Sequence, residues 1–156
     1  MRRQVLDSAL KLREQRTEDA KAEVGHAGLR EAEAEAELRD RENAVRAHQR
    51  ETTRIEEEEK RRLQQGLLRA SDLQAQAAWR TVEAERSATL EQHAAAAKDE
   101  RDLKARATAA ARAELVGREI ERKVIETHRS KQEQLAARAK DNAADDEMLE
   151  GWKPKP

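Results

Sequence analysis

Apolar and small residues in the first part of the chain recur at alternating steps of four and three. The series starts at Leu6 and Leu10 and is carried on through Arg13, Thr17, Ala20, Val24, Ala27, Glu31, Ala34, Leu38, Arg41, Val45, His48, Thr52, Ile55, Glu59, Arg62 and Gly66. This heptad spacing predicts an amphipathic helix that packs against another helix, and its polar members indicate a weak seam. Without any proline before Gly66, we predict one helix over about residues 2–65, about 95 Å long, which needs a partner along its length.

The stretch RRLQQGLLRASDLQ, residues 61–74, interrupts the pattern. Gly66 is suited to stop a helix because glycine adopts the left-handed C-cap conformation without a Cβ clash. Ser71 and Gln74 have the spacing of a capping box, which predicts a new helix start. A turn near residues 66–71 is short, so the two helices are expected to be antiparallel.

The second helix is predicted over about residues 72–149. We assign its seam to the series Trp79, Val82, Arg86, Thr89, His93, Ala96, Glu100, Leu103, Ala107, Ala110, Ala113, Val116, Ile120, Val124 and Thr127. The spacing of this series changes after Ala110, which predicts a stutter there. Centring the turn at residues 68–69 places Leu10 opposite Thr127 and Val24 opposite Ala113. Small residues in the stretches 20–28 and 108–117 would permit close approach of the helices there, or their glycines would be bend points.

These patterns predict an all-α fold, a long antiparallel two-helix coiled-coil hairpin that forms a single domain over residues 1–150. The C-terminal helix is expected to overhang the N-terminal one. The last residues, 150–156, contain Pro154 and Pro156 and are expected to form a flexible tail.

Composition narrows the function. The chain has 32 basic and 33 acidic residues, interleaved, and a net charge of -1, which argues against a nucleic-acid-binding protein. It has no Cys, no Phe and no Tyr, so a thick apolar core and disulfides are excluded. No apolar run approaches the roughly 20 residues of a membrane span, and we expect a cytoplasmic protein.

Catalytic and metal chemistry is not indicated. The four histidines, His26, His48, His93 and His128, are scattered, and none has a Cys, His or carboxylate partner at i+4 in a recognised ligand motif. Pairing of His48 with His93 across the helices would leave a metal or pH-sensitive contact open. No phosphate-binding loop or nucleophile with a base occurs. We therefore predict no enzyme activity, no cofactor and no metal site.

Two features near the turn have a structural and a functional interpretation. Leu67, Leu68 and Leu73 crowd the turn, with Trp79 two turns beyond, and they either close the end of the hairpin or bind a partner. The run EEEEKRR, residues 56–62, is either a docking patch or a set of i,i+4 ion pairs.

The stretches VLDSALKLREQRTEDAKAEV and QQGLLRASDLQAQAAWRTVEAE, with a second long helix that closes in a charged tail, resemble the FliJ/YscO (SctO) family of type III secretion stalk proteins. The resemblance covers nearly the whole chain in layout, length and position of the break. The tail DDEMLEGWKPKP and the alanine-rich seam look closer to the virulence-type or symbiosis-type branch than to the flagellar one.

The resemblance implies a non-enzymatic stalk that sits in the pore of the hexameric secretion ATPase, promotes its assembly, and reaches the cytosolic ring of the export gate. The terminal end would contact the ATPase through Arg2, Arg3, Leu6, Leu10, Met148 and Leu149. The turn and the face beyond it would contact the gate through Leu67, Leu68, Leu73, Trp79, Val82 and Arg86. The stalk would act as a monomer, without inserting into the membrane, and binding of secretion chaperones stays open.

A different class of function fits the same pattern. A generic structural coiled coil, such as a scaffold or a peripheral stalk, would also be rich in charge and alanine. It would form stable intermolecular bundles rather than a monomeric hairpin.

Overall fold

The protein consists of two long helices, as described by a computed structural model. Helix α1 spans Arg2–Gln64 and helix α2 spans Ala70–Gly151. The structure describes the backbone of residues 2–151 and the side chains of residues 4–148, and within that part of the chain there is no strand. The two helices pack against each other, so the predicted all-α fold is confirmed. Residues 152–156 of the predicted tail lie outside the described residues.

The end of α1 is a Schellman motif centred on Gly66. The Leu67 N–H donates to the Arg62 carbonyl at 3.0 Å, and the Gly66 N–H donates to the Leu63 carbonyl at 3.1 Å. Gly66 has φ of 69°, the left-handed conformation that L side chains disfavour. The predicted role of Gly66 as the helix stop is confirmed.

Helix α2 begins earlier than the sequence indicated. The Arg69 carbonyl accepts the first helical hydrogen bonds, from the N–H groups of Asp72 and Leu73, at 3.0 and 3.3 Å. The Asp72 carboxylate in turn accepts from the Arg69 N–H at 2.8 Å. Because Asp72 caps the helix from the third helical position, Ser71 is already helical, and the predicted capping box between Ser71 and Gln74 is wrong.

The chain divides into two compact units. Unit 1 comprises residues 1–25 and 110–156, and unit 2 comprises residues 26–109. In unit 2, α1 and α2 form a helical hairpin around the turn. In unit 1, the first part of α1 packs antiparallel to the last part of α2, because Asp7 pairs with Arg129 whereas Arg13 pairs with Glu121.

The buried residues of α1 follow the predicted series in both units. In unit 1, Leu10, Thr17 and Ala20 are buried, and in unit 2, Ala27 and Leu38 are buried. Nearly all the other members of the series are half-buried, and the exceptions that lie on the surface are Arg41, Arg62 and Gly66. The heptad on α1 is therefore confirmed, and its burial is shallow because so many of its members are small or polar.

The seam of α2 was assigned to the wrong face. Apart from Trp79, the predicted members are exposed. The residues that face α1 mostly lie one or two positions further along the chain. They are Glu83, Ser87, Leu90, Ala94, Ala97, Arg101, Lys104, Thr108, Ala111, Leu115, Arg118, Arg122, Ile125 and Arg129. This observed series keeps steps of four and three from Ser87 onward, so the predicted stutter after Ala110 is also wrong. The only doubled step in it runs through Trp79, Glu83 and Ser87.

Polar pairs across the two helices explain this rotation of α2. In unit 1, Arg129 lies 3.4 Å from Asp7, and Arg13 contacts Glu121. In unit 2, His48 lies 3.5 Å from Glu83. The aliphatic stems of arginine and lysine cover the small residues of α1 while their charged ends stay near solvent. A face with few aliphatic residues thus becomes the seam, and the more aliphatic face of α2 stays outside.

Small residues line the seam, but its glycines are not needed for close approach. A Cβ added at Gly25, Gly28 or Gly117 would meet no atom within 4 Å. The most deeply buried positions are instead Thr17 in unit 1 and Thr108 in unit 2. Each threonine satisfies its hydroxyl on its own helix, at the carbonyl four residues before it.

Candidate docking surfaces

The terminal surface predicted from the sequence lies in unit 1 and is only partly free. Leu10 is buried and Leu6 is half-buried in the seam, so both stabilise the helix pair. Met148 is 77% exposed. The side chains of Arg2, Arg3 and Leu149 lie outside the described residues. Of the predicted aliphatic contacts, Met148 is the one that the structure leaves accessible.

The helix pair in unit 1 ends at Arg129 on α2, which lies between two carboxylates. Arg129 pairs with Asp7 across the seam and donates to Glu133 at 3.1 Å along its own helix. The hydrogen bond to Glu133 and the nearby Asp7 carboxylate raise the pKa of Arg129 above its usual value. This guanidinium stays charged at any pH at which the protein folds. Its charge is therefore always available for the contacts with Asp7 and Glu133 at the end of the seam.

Beyond Arg129, α2 continues as an exposed helix in the described part of the chain. Every residue from Ser130 to Met148 is exposed. We call this segment the overhang. Its first part carries Lys131, Arg138 and Lys140, and its second part carries Asp141, Asp145, Asp146 and Glu147. Leu135, 57% exposed, is an apolar contact that the sequence analysis missed, although an isolated leucine in a polar run beyond the start of α1 was the available signal.

Leucines around the turn in unit 2 form a second accessible surface. Leu67 and Leu73 are exposed, whereas Leu68 is half-buried. Leu63, the penultimate residue of α1, is exposed as well and was not predicted. We call Leu63, Leu67 and Leu73 the tip leucines. Closing the end of the hairpin uses Leu68 and leaves the tip leucines in contact with water.

The remaining predicted gate contacts do not share a face with Leu73. Nine residues separate Leu73 from Val82, which is two and a half helical turns, so the two project from opposite sides of α2. Val82 and Arg86 are exposed, and Trp79 is half-buried. The predicted set is thus divided between the turn and the side of the hairpin that carries Trp79.

Trp79 borders a shallow groove between the helices of unit 2. The groove also contains His48, Thr52 and Glu83. The His48 Nε2 and a Glu83 carboxylate oxygen are 3.5 Å apart, and these side chains are only 11% and 17% exposed. His93 is exposed and does not face His48, so the predicted histidine pair is wrong because α2 is rotated.

An apolar row on α2 in unit 1 faces away from α1. Val116, Ile120 and Val124 are 55%, 58% and 63% exposed. The sequence analysis placed these residues in the seam. They are instead the most continuous exposed aliphatic feature of this unit, and we call them the outer row.

The charged run before the turn is occupied by ion pairs within α1. Arg61 pairs with Glu57 and Arg62 pairs with Glu58, at 3.9 and 3.4 Å. These are the i,i+4 pairs that the spacing predicted, and such exposed pairs are worth only a few tenths of a kcal/mol each.

The described residues contain no group of three or more His, Asp or Glu side chains arranged to hold a metal ion. Within the same part of the chain, neither helix has a stretch sufficiently apolar to cross a bilayer.

Comparison of the chain with models of known protein families, with curated proteins and with solved structures found no match.

Proposed function

We propose that this protein is a non-enzymatic central stalk of a type III secretion export apparatus. In this proposal its terminal end enters the pore of the hexameric secretion ATPase and its turn end reaches the export gate. The proposal rests on the resemblance of the sequence to the FliJ/YscO family and on a fold of two long antiparallel helices.

The observation that carries the proposal is the overhang. Within the described part of the chain, this solvent-exposed segment of about 19 residues has no buried residue to stabilise it, and isolated helices of that length are marginal in water. It gains stability only where another surface covers it. Entry into a ring of subunits would cover all sides of a single helix at once.

Charge along the overhang favours insertion end first. The acidic residues Asp141, Asp145, Asp146 and Glu147 lie in the half of the overhang farther from the helix pair, and basic residues lie in the half nearer to it. This acidic half is attracted by a basic pore lining, and the attraction speeds association without requiring deep apolar pockets.

The shallow seam suits a component that is held in a ring. Most of its contacts are small residues, half-buried charges and surface ion pairs, each of modest energy. A helix pair with many weak contacts of mixed charge lacks a single deep free-energy minimum at one orientation in the ring. It can therefore turn or rock while the six subunits change state.

At the other end, the tip leucines supply an apolar contact for the export gate. Buried leucine side chains contribute about 1.5–3 kcal/mol each, so two or three are sufficient for a specific but reversible contact. The proposed location is cytoplasmic, at the inner-membrane face of the secretion apparatus, and the working form is one copy of the hairpin.

The test is hydrolysis of ATP by the secretion ATPase of the same organism. Addition of this protein is expected to raise the rate and to shift the ATPase toward hexamers in size-exclusion chromatography. A variant that ends at Ser130 lacks the overhang but keeps the contacts of the helix pair, and it is expected to give neither effect. If the intact protein neither raises hydrolysis nor promotes the hexamer, the stalk assignment is wrong.

A matched control changes the tip leucines instead. Replacing Leu63, Leu67 and Leu73 with Gln is expected to leave ATPase stimulation unchanged, because the turn lies outside the proposed pore contact. Secretion in cells is expected to fall. Full secretion by this variant would remove the tip leucines from the gate contact while leaving the ATPase contact intact.

A further inference from the structure

We propose that the outer row of α2 is a contact between two copies of this chain, which associate reversibly with α2 of one copy antiparallel to α2 of the other. The contact lies in unit 1, between residues 113 and 127, with a two-fold axis near residue 121. It concerns the free protein and does not depend on the stalk assignment.

The position of the outer row on the helix is the first argument. Residues two and five positions from Ile120 face α1, because Leu115, Arg118, Arg122 and Ile125 are half-buried. At 100° per residue these positions centre half a turn away from Ile120. The outer row is therefore the back of α2, and contact with a second copy would leave the helix pair of unit 1 undisturbed.

The chemistry of the outer row is the second argument. Valine and isoleucine have lower helix propensity than alanine, and α2 is otherwise rich in alanine. Exposed β-branched residues here gain nothing within one chain. Ala113 and Thr127 flank the row and are small, so another helix can approach closely. With the axis near residue 121, Ile120 of one copy packs between Ile120 and Val124 of the other.

Charge complementarity identifies the second copy as the occupant. Glu119 and Lys123 lie on one flank of the outer row, and none of the ion pairs among the described residues includes either of them. An antiparallel two-fold arrangement brings the same flanks together, so Glu119 of each copy faces Lys123 of the other. A parallel arrangement would instead direct Glu119 toward the flank that carries Glu114 and Glu121.

The size of the contact sets its strength. Residues 113–127 span about 22 Å of helix, which is shorter than the seams of stable coiled coils. Such a patch is smaller than the roughly 800 Å² per partner of a standard interface. The dimer is therefore weak and concentration-dependent, and dilution or a competing partner separates it into the single hairpins that the proposed function uses.

Sedimentation equilibrium of the full chain without ATPase, up to about 1 mM, tests the proposal. The mass is expected to rise reversibly from one chain toward two. Replacing Val116, Ile120 and Val124 together with Gln is expected to weaken association at least about tenfold. Helicity should persist, because glutamine is a better helix former than either residue and these side chains face solvent. Leu12→Gln, an exposed leucine on α1 of the same unit, is the matched control and should associate like the wild type.

A charge exchange tests the orientation. Glu119→Lys alone is expected to weaken association, and the double variant Glu119→Lys/Lys123→Glu is expected to restore it. A mass that stays at one chain throughout, or association unchanged in the triple variant, overturns the proposal. Failure of the charge exchange to restore association overturns the antiparallel arrangement. Because no ATPase is present, each result is independent of the stalk test.

Discussion

Gly66 and the glycines inside the helices show how differently one residue type acts at two kinds of position. Gly66 has a positive φ and ends α1. This role could be predicted because glycine favours the left-handed conformation of a C-cap. Gly25 and Gly28 are helical, and the sequence offered either close packing or bending as their purpose. Open space around their Cβ positions supports neither a tight contact nor a steric need for glycine.

The contrast predicts opposite effects of one substitution. Gly25→Ala and Gly28→Ala are each expected to stabilise the protein by about 1 kcal/mol, because alanine has the higher helix propensity. Gly66→Ala is expected to destabilise it by about 1 kcal/mol, because its Cβ is strained in the left-handed conformation. Thermal unfolding followed by circular dichroism measures all three. A lower melting temperature for Gly28→Ala would show that the seam needs glycine there.

The start of α2 was assigned incorrectly because the sequence around it is compatible with more than one capping arrangement. Ser71 and Gln74 match a capping box. The Asp72 carboxylate instead accepts a hydrogen bond from the Arg69 N–H and so caps the start of α2. The competition between two adjacent starts is decided by how the turn closes after Gly66. That closure depends on backbone geometry, which a residue pattern does not contain.

At the scale of the element, the two helices differ in how well their faces could be predicted. Apolar and small residues on α1 are spaced so that steps of four and three from Leu6 give a continuous series, and the structure follows it. On α2, alanine occurs on every face, and aliphatic residues such as Val116 and Ile120 drew the assignment to the wrong side. Pairing of Arg129 with Asp7 and of Arg13 with Glu121 selects the true face, and such long-range charge pairs cannot be read from one helix alone.

The overhang is the element with a property of its own to measure. Because residues 131–148 are all exposed, their amides are expected to exchange with deuterium at least about tenfold faster than those of residues 111–129 in the same helix. Hydrogen exchange with mass spectrometry of the free protein at low concentration measures this. Equal protection along all of α2 would mean that the overhang is covered in the free protein and is not available for a pore.

At the scale of the whole molecule, the all-α fold of two long helices followed from the heptads, the missing proline and the short break. The candidate surfaces followed less completely. Two of the terminal contacts, Leu6 and Leu10, turned out to belong to the seam, because the same leucines that look like a docking patch also have heptad spacing. Leu63 was missed because it lies outside the heptad series, and Leu135 was missed because it is isolated in a polar run.

The stalk and the reversible dimer place different demands on the same chain. The stalk uses the overhang and the tip leucines, and the dimer uses the back of α2. A single copy in a six-membered ring cannot keep a two-fold partner inside the pore, so binding to the ATPase is expected to separate the dimer. The two proposals are therefore compatible, and each has its own surface.

Native mass spectrometry of the secretion ATPase mixed with this protein tests the central claim most directly, because a central stalk must be outnumbered by the subunits of its ring. The account predicts a complex of six ATPase subunits with one copy of this chain, lost when the chain ends at Ser130. A complex with one copy bound to each subunit, or an ATPase hexamer without any bound copy, would contradict it.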